Sequence, residues 1–150
     1  MRRKEKEITD RSAIEDIIRR STVCRLAMSD NGSPYVIPMS FGYEESTLYL
    51  HSAKEGRKID ILKKNPDVCI EFDIDAELKE SEEACKWGIS YKSVIIFGTL
   101  FFVEDIREKR KGFEIIMKQY SKETYTIPDE AIEKTHIMKV DVREMTGKKS

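Results

Sequence analysis

The sequence has few cysteines, no long apolar run and no excess of charge of one sign. Three cysteines among 150 residues, without CxxC spacing, argue against a disulfide framework and against a structural zinc site, and they fit a reducing compartment. The broken apolar segment 93–103 is far shorter than the roughly 18 residues that a membrane-spanning helix needs. No apolar segment of the kind found in secretory signals follows the charged residues 1–10. We therefore expect a cytoplasmic protein that does not enter the membrane.

The positive and negative charges of the side chains almost cancel. The chain has 27 Lys and Arg against 28 Asp and Glu, for a formal net charge of -1. Such a balance gives no global field that would attract nucleic acid or anionic lipid, so neither is an expected partner. The length is that of one ordinary domain, and no internal repeat or linker interrupts it, so we expect a single domain over residues 1–150.

The pattern of apolar residues predicts six strands, the first three of which follow one another directly. The predicted strands are residues 23–28, 34–41, 47–51, 68–75, 91–103 and 136–142. Asn31-Gly32 suits the turn between the first two strands. The fifth is apolar on both faces, so it is predicted to be central and the longest, with Gly98 marking a bulge or bend.

Helical spacing predicts three helices around these strands. The first covers residues 12–20, with a capping box at Ser12, and the second covers residues 54–64, ended by Asn65-Pro66. The third is opened by Asp105 and carries an apolar face to Tyr120. Residues 76–89 are predicted to be a loop with some helix, and residues 147–150 a basic tail. This order of elements favours an antiparallel barrel with helical caps over a doubly wound parallel sheet.

The segment from His51 to Lys58 has the chemistry of an anion site, because it runs from a strand end into a helix start. Ser52 offers a hydroxyl, Gly56 a permissive backbone, and Arg57 and Lys58 two cations beside unpaired helix N–H groups. The alternative is an ordinary capped helix with solvated charges. His51 could be a satisfied core histidine, a ligand contact or a proton donor.

Other chemistry is less well supported by the pattern. The second histidine is 85 positions from the first and no ligand spacing accompanies either, so we expect no metal. The GxSxG, P-loop and GxGxxG motifs are absent, which disfavours hydrolases and nucleotidases. Pro38 interrupts a predicted strand, and backbone groups freed there could bind the polar edge of a flat ligand. Trp87 could stack on an aromatic ligand, although packing is the commoner use of such a ring.

Four segments together resemble the FMN-binding split-barrel proteins related to pyridoxamine 5'-phosphate oxidase, above all the nitroimidazole-resistance-like branch. The segments are SPYVIPMSFGYE, LYLHSAKEGRKIDILKKNPDVCIEF, YKSVIIFGTLFFVED and HIMKVDVREMTGKKS. The resemblance covers roughly residues 23–148, and the HSA..GRK pattern with the following NP is its most specific part. It implies a mainly β (α+β) fold, an antiparallel split β-barrel with short capping helices, that works as a homodimer.

The resemblance also implies a cofactor and its contacts. FMN would lie non-covalently at the dimer interface, with its phosphate near residues 51–58 and His51 beside the cofactor in a catalytic role. The implied cofactor-binding residues are Pro38, Met39, Ser40, Phe41, His51, Ser52, Ala53, Arg57, Lys58, Tyr91, Ser93 and Val94, with Tyr91, Ser93 and Val94 approaching from the other subunit.

The implied activity is that of an FMN-dependent oxidoreductase which reduces a small planar or nitroaromatic acceptor. No counterpart of the arginine-rich C-terminal substrate segment of pyridoxamine 5'-phosphate oxidase is found, so vitamin B6 oxidation is not expected. The alternatives are a non-enzymatic protein that stores or senses flavin or haem, and a plain dimerisation module that binds no ligand.

Overall fold

The structure of the chain is a computed structural model that describes residues 3–150. The described residues form eight strands and four α-helices, with a short 3-10 helix at Lys4–Lys6 and another at Ala84–Lys86. The strands are β1 (Glu7–Ile8), β2 (Cys24–Asp30), β3 (Ser33–Met39), β4 (Phe41–Glu44), β5 (Thr47–Ala53), β6 (Asp67–Lys79), β7 (Gly88–Val103) and β8 (Thr135–Lys149). The helices are α1 (Arg11–Arg20), α2 (Arg57–Lys64), α3 (Ile106–Tyr120) and α4 (Asp129–Glu133).

The strands form one antiparallel sheet in the order β3-β2-β6-β7-β8-β5-β4, with β1 added beside β8. The sheet path is not closed by hydrogen bonds, because β3 and β4 are its two ends although they follow one another in the chain. Phe41, Leu50, Phe72 and Val94 are among the fully buried side chains that fill its interior. The predicted antiparallel split barrel with helical caps is therefore confirmed.

The predicted strand over residues 34–41 is wrong at its end. Its apolar residues alternate without interruption, but the structure breaks the strand at Ser40. The residues before the break pair with β2, and those after it pair with β5 on the far side of the sheet. The position of the break therefore depends on which strands are available as pairing partners. The local alternation of apolar residues gives no sign of it.

Three other boundaries also differ from the prediction. The first helix is capped by Asp10, whose carboxylate accepts the Ala13 N–H at 3.0 Å, because Ser12 donates its hydroxyl to Asp10 instead of capping. The second helix begins at Arg57, since Gly56 has φ 123°, which ends any helical continuity with the preceding residues. The predicted basic tail is the end of β8, where it pairs with both β7 and β1.

The loop with some helix predicted over residues 76–89 is confirmed at its centre, where residues 80–87 lie outside the strands and include the 3-10 helix Ala84–Lys86, whereas residues 76–79 and 88–89 extend β6 and β7 as a hairpin arm. The pairing register shifts between Ile74 and Glu77, and Asp75 within this shift has φ 56°. Arg20 and Lys92 both bind the Asp75 carboxylate, at 2.6 and 3.1 Å, which holds the irregular backbone in place. The bulge predicted at Gly98 is confirmed by a register shift beside that residue.

Helix α3 covers the outer side of β4, β5 and β8 at close range. A methyl group added at Gly42 would lie 2.6 Å from the backbone carbon of Ile115 and 2.6 Å from the backbone nitrogen of Ile116. Only glycine allows this approach of helix to strand. The helix also ties β4 to the segment between α1 and β2, because the Tyr120 hydroxyl accepts the Phe41 N–H at 3.0 Å and donates to the Thr22 carbonyl at 3.1 Å.

Candidate functional site

The predicted anion segment lies where β5 passes into α2. The backbone of Gly56 forms the N-cap of α2, and no side chain caps the first N–H groups of the helix. Uncapped N–H groups at a helix start carry partial positive charge and can bind an anion. The geometry therefore leaves backbone donors beside Arg57 and Lys58, as the anion prediction requires.

The two cations of this segment have different surroundings. The guanidinium carbon of Arg57 lies 4.5 Å from the centre of the Tyr35 ring on β3, a cation–π contact that orients the exposed arginine. Lys58 is half-buried and lies close enough to His51 to lower the pKa of the imidazole. Sequence reasoning missed Tyr35, because nothing in the local pattern links it to a residue 22 positions later.

Ser52 is a buried polar residue whose hydroxyl is not satisfied by residues 3–150. It is 5% exposed, and its hydroxyl oxygen has no hydrogen-bond partner within the described residues. A buried polar group without a partner costs about 1–3 kcal/mol. A ligand that supplies the missing hydrogen bond would remove this cost.

His51 is hydrogen-bonded at the break between β3 and β4. Its Nε2 lies 2.9 Å from the hydroxyl of Ser40, and its ring centre lies 6.1 Å from that of Phe113 on α3. Burial, and then the charge of Lys58, lower the pKa of His51. The imidazole is therefore neutral near pH 7, with one nitrogen engaged by Ser40, and it can exchange a hydrogen bond or a proton with a ligand.

The segment predicted to line a flavin ring is divided between the core and the surface. Met39 is 8% exposed and Phe41 is fully buried, with the Phe41 ring packed edge-on against Phe72 at 4.9 Å. Pro38 is exposed and Ser40 is half-buried. The side chains of Pro38 and Ser40 can therefore reach a ligand, whereas those of Met39 and Phe41 hold the interior together.

The residues predicted to approach from another subunit lie on β7. Val94 is buried in the core, Ser93 is 8% exposed, and the Tyr91 hydroxyl accepts a hydrogen bond from the Lys148 ammonium at 2.9 Å. Strand β5 pairs with β8, and β8 pairs with β7. Along these pairings, Val103 of β7 lies at the same height in the sheet as His51 of β5. Ser93 lies ten residues from Val103, which is about 30 Å of strand. One chain therefore does not bring His51 and Ser93 together.

The outer face of the sheet carries an apolar row that we call the outer row. It crosses four strands in register and consists of Val36, Ala27, Cys69 and Phe97. Val36 is 60% exposed and Phe97 is 43% exposed, and Ile95 beside Phe97 is 37% exposed. Contiguous apolar surface of this kind marks an interaction site more often than a free surface.

Comparisons with known proteins agree with this architecture. A family model described as pyridoxamine 5'-phosphate oxidase matches residues 10–149. The chain belongs to this family. Its members share the split-barrel fold described above, and the family name by itself does not assign the oxidase reaction to this chain.

Solved structures include similar chains of the same fold. A proposed 5-nitroimidazole antibiotic resistance protein from Bacteroides thetaiotaomicron is 40% identical, with a TM-score of 0.86 over 95% of this chain and 85% of the other. An FAD- and haem-binding protein from Mycobacterium smegmatis is 16% identical, with a TM-score of 0.87 over 97% and 73%. An FAD-binding protein from Mesorhizobium loti is 19% identical, with a TM-score of 0.68 over 94% and 95%. No curated protein sequence matches the chain.

Within residues 3–150, no helix has both the length and the apolar character needed to cross a membrane.

Proposed function

We propose that this family member is an FMN-binding flavoprotein of the cytoplasm that reduces small planar acceptors, nitroaromatic compounds among them. The observation that carries the proposal is the segment His51–Lys58, which contains a buried hydroxyl without a partner, the uncapped N–H groups of a helix start and two cations. The 40% identical resistance protein supports the choice of acceptor class. The similarity of that protein extends over 95% of this chain and is not limited to one segment.

The residues present fit a phosphate-bearing planar cofactor. Arg57, Lys58 and the helix start would bind the phosphate, and the Ser52 hydroxyl would find its missing partner at the cofactor. Ala53, exposed at the end of β5, adjoins the same position. Bound FMN would supply hydride or single-electron chemistry that no side chain of the protein can supply.

His51 would act on the acceptor from beside the cofactor. Because its pKa is lowered, the imidazole is neutral near pH 7 and would orient the acceptor through a hydrogen bond from its N–H. The imidazolium form, which takes its proton from solvent, would deliver that proton as the acceptor is reduced and return to the neutral ring. Ser40 would hold the ring in position through its 2.9 Å contact. The half-buried position of His51 would keep bulk water away from that side of the acceptor.

A homodimer is part of the proposal, because one chain separates the two halves of the predicted site. His51 and Arg57 lie at one end of the sheet, whereas Tyr91 and Ser93 lie far along β7. A second copy placed against the outer row would cover exposed Val36 and Phe97. It would also allow Tyr91 and Ser93 of one subunit to complete the site of the other.

The test begins with the absorbance spectrum of the purified protein, alone and after addition of FMN. We expect oxidised-flavin bands, bleaching by NADH or NADPH without oxygen, and reoxidation by a nitroimidazole. Sedimentation at micromolar concentration is expected to give twice 17.5 kDa. No flavin binding would overturn the proposal, a Soret band would favour a haem protein, and bound flavin that no acceptor reoxidises would favour storage or sensing.

A further inference from the structure

The hairpin arm, which consists of residues 76–89, is an ordered segment none of whose side chains is buried within residues 3–150. All of its residues are exposed except Ser81, which is half-buried. Leu78 pairs directly with Ile89 across the arm, and these two side chains are 58% and 56% exposed. A two-stranded hairpin is only marginally stable in water unless it packs against another surface. The arm therefore needs a surface to cover it.

Trp87, at the tip of the arm, adds a large aromatic ring to this exposed apolar surface. The residue is 49% exposed, and its indole N–H donates to the Ser81 carbonyl at 2.5 Å, so the ring is held in place. Fixed aromatic rings are characteristic anchors of protein interfaces, because little rotamer freedom is lost when they are buried. The arm thus has the composition of an interaction surface.

The arm continues the outer face of the sheet. Alternation along β7 gives this strand one outer face, which carries Ile89, Tyr91, Ser93, Ile95 and Phe97. Phe97 belongs to the outer row, and Ile95 beside it is 37% exposed. The arm is therefore an extension of the surface against which the proposed homodimer places a second copy.

The arm and the cationic segment of its own chain lie at opposite ends of the sheet. Val103 lies level with His51, and Gly88 is 15 residues from Val103, which is about 50 Å of strand. In the proposed homodimer, Tyr91 of one copy lies at the site of the other. Ile89 is only two residues beyond Tyr91, about 7 Å of strand. The arm of one copy then lies beside residues 51–64 of the other.

The arm and the segment that it would meet carry opposite charge. Residues 76–87 have four glutamates and two lysines, whereas residues 54–64 have five cations and two carboxylates. Arg57, Lys63 and Lys64 are exposed on α2. Opposite charges steer association and fix the register of an interface, and the face of a tryptophan ring attracts a cation.

We propose that the hairpin arm is a docking surface for a second copy of this chain, with Leu78, Trp87 and Ile89 packed against residues 51–64 of that copy. By two-fold symmetry, each arm covers the site of the other copy. This inference rests on the proposed function, because that function places Tyr91 of one copy at the site of the other. It goes further in making Trp87 part of the wall of the other copy's flavin site.

The first test follows Trp87 in flavin-free protein, because the chain has only this tryptophan. The monomer for comparison is obtained with Phe97→Asp or by dilution. We expect the emission of the dimer to lie at shorter wavelength than that of the monomer, and to be less quenched by acrylamide. The physical reason is that docking removes the indole ring from water.

A substitution in the arm tests the same contact. Leu78→Asp should weaken the dimer at least about tenfold in sedimentation and return the emission to that of the monomer. No side chain of the arm is buried within residues 3–150, so the melting temperature of the barrel should change little. Ile106→Asp, at a residue of α3 that is 39% exposed, is the control and should leave the dimer and the emission unchanged.

Mixed dimers decide which copy's site the arm covers. A Trp87→Phe chain with an intact flavin site is mixed, in excess, with a Lys58→Ala chain that keeps Trp87. FMN is added at a concentration that fills only the intact sites. Flavin absorbs light where tryptophan emits, so a flavin close to the indole quenches its emission. We expect the single tryptophan of the mixed dimer to be quenched, because its arm lies on the flavin-bearing copy.

Four results would overturn the inference. They are the same emission of Trp87 in dimer and monomer, a Leu78→Asp dimer as stable as the unsubstituted one, an unquenched tryptophan in flavin-loaded mixed dimers, and a chain that is monomeric at micromolar concentration. If the chain dimerises but binds no FMN, the proposed function fails, and the emission of the flavin-free dimer still decides the inference. If FMN binds and the emission does not differ, the inference alone fails.

Discussion

The substitution Lys58→Ala tests the predicted phosphate contact directly, because only FMN and not riboflavin has a phosphate. Lys58 is half-buried at the second position of α2 and forms no ion pair within residues 3–150. Its removal therefore breaks no contact on which the fold depends. Alanine also suits this helical position, so we expect the melting temperature to change little.

The expected magnitude follows from the type of contact. A hydrogen bond to a charged group is worth about 1.5–3 kcal/mol, so the dissociation constant for FMN should rise by roughly tenfold to a hundredfold. Riboflavin lacks the group that the lysine binds, so its affinity should change by less than about twofold. Isothermal titration calorimetry or flavin fluorescence quenching measures both constants.

The same variant has a second readout in the flavin-free protein. Lys58 lowers the pKa of His51, after the larger effect of burial, so its removal should raise that pKa toward the ordinary histidine value. An NMR titration of the imidazole measures the change. Lys64→Ala, at the far end of the same helix, serves as the control and should alter neither flavin affinity nor His51. Equal losses of FMN and riboflavin affinity would refute the phosphate contact, and an unchanged pKa of His51 would refute the placement of Lys58.

Three further substitutions test the chemistry, the dimer and the packing. His51→Gln should retain flavin but slow reoxidation by a nitroaromatic acceptor by a factor of about 10² to 10⁴, measured by stopped-flow absorbance. Phe97→Asp should convert the dimer to a monomer in sedimentation, because it places a charge in the exposed outer row. Gly42→Ala should lower the free energy of unfolding by about 1–3 kcal/mol or more in urea denaturation, because the new methyl group would overlap the backbone of Ile115 and Ile116.

Each of these expectations has a matched control. Ser40→Ala should slow reoxidation less than His51→Gln, because it loosens the imidazole without removing it. Ile106→Asp changes an apolar residue of similar exposure, 39%, on α3 and should leave the dimer intact. Gly88→Ala adds a methyl group with nothing within 4 Å and should be close to neutral. An unchanged reoxidation rate, a dimeric Phe97→Asp protein or a fully stable Gly42→Ala protein would contradict the respective argument.

The parts of the fold that sequence predicted well are those that local patterning specifies. Alternation identified β5 and β6, and apolar residues on both faces identified β7. The 3.6-residue spacing identified α3 together with its cap at Asp105, whose carboxylate accepts the N–H groups of Arg107 and Glu108. The turn at Asn31-Gly32 also follows local chemistry, since both residues adopt positive φ. In these segments a residue's neighbours in sequence determine its conformation.

The parts that sequence predicted poorly depend on distant partners. The end of β8 carries the polar residues Lys148 and Lys149, which look like a solvated tail, but β7 supplies a long strand with which they pair. The short β4 exists because β5 offers it an edge and α3 covers it through Gly42. Neither partner is visible within a window of ten residues.

In the candidate site, too, some features follow from residues that are adjacent in sequence, whereas others depend on residues that the fold brings together. The segment from His51 to Lys58 was recognised because a strand end, a glycine and two cations stand next to one another in sequence. The contacts that orient its members are not local, because Ser40 holds His51 from 11 positions away and Tyr35 holds Arg57 from 22. Such positioning contacts are what allow a solvated charge to serve as a fixed binding group, since an unoriented lysine or arginine loses rotamer freedom when it binds.

The burial of the Ser52 hydroxyl is a feature of the site that local sequence does not reveal. Ser52 is 5% exposed and lies opposite His136 in the pairing of β5 with β8, and its hydroxyl oxygen has no hydrogen-bond partner within residues 3–150. The cost of burying this hydroxyl has to be offset by something that the folded chain does not contain. Burial without a partner is therefore the most direct sign of a ligand in this molecule.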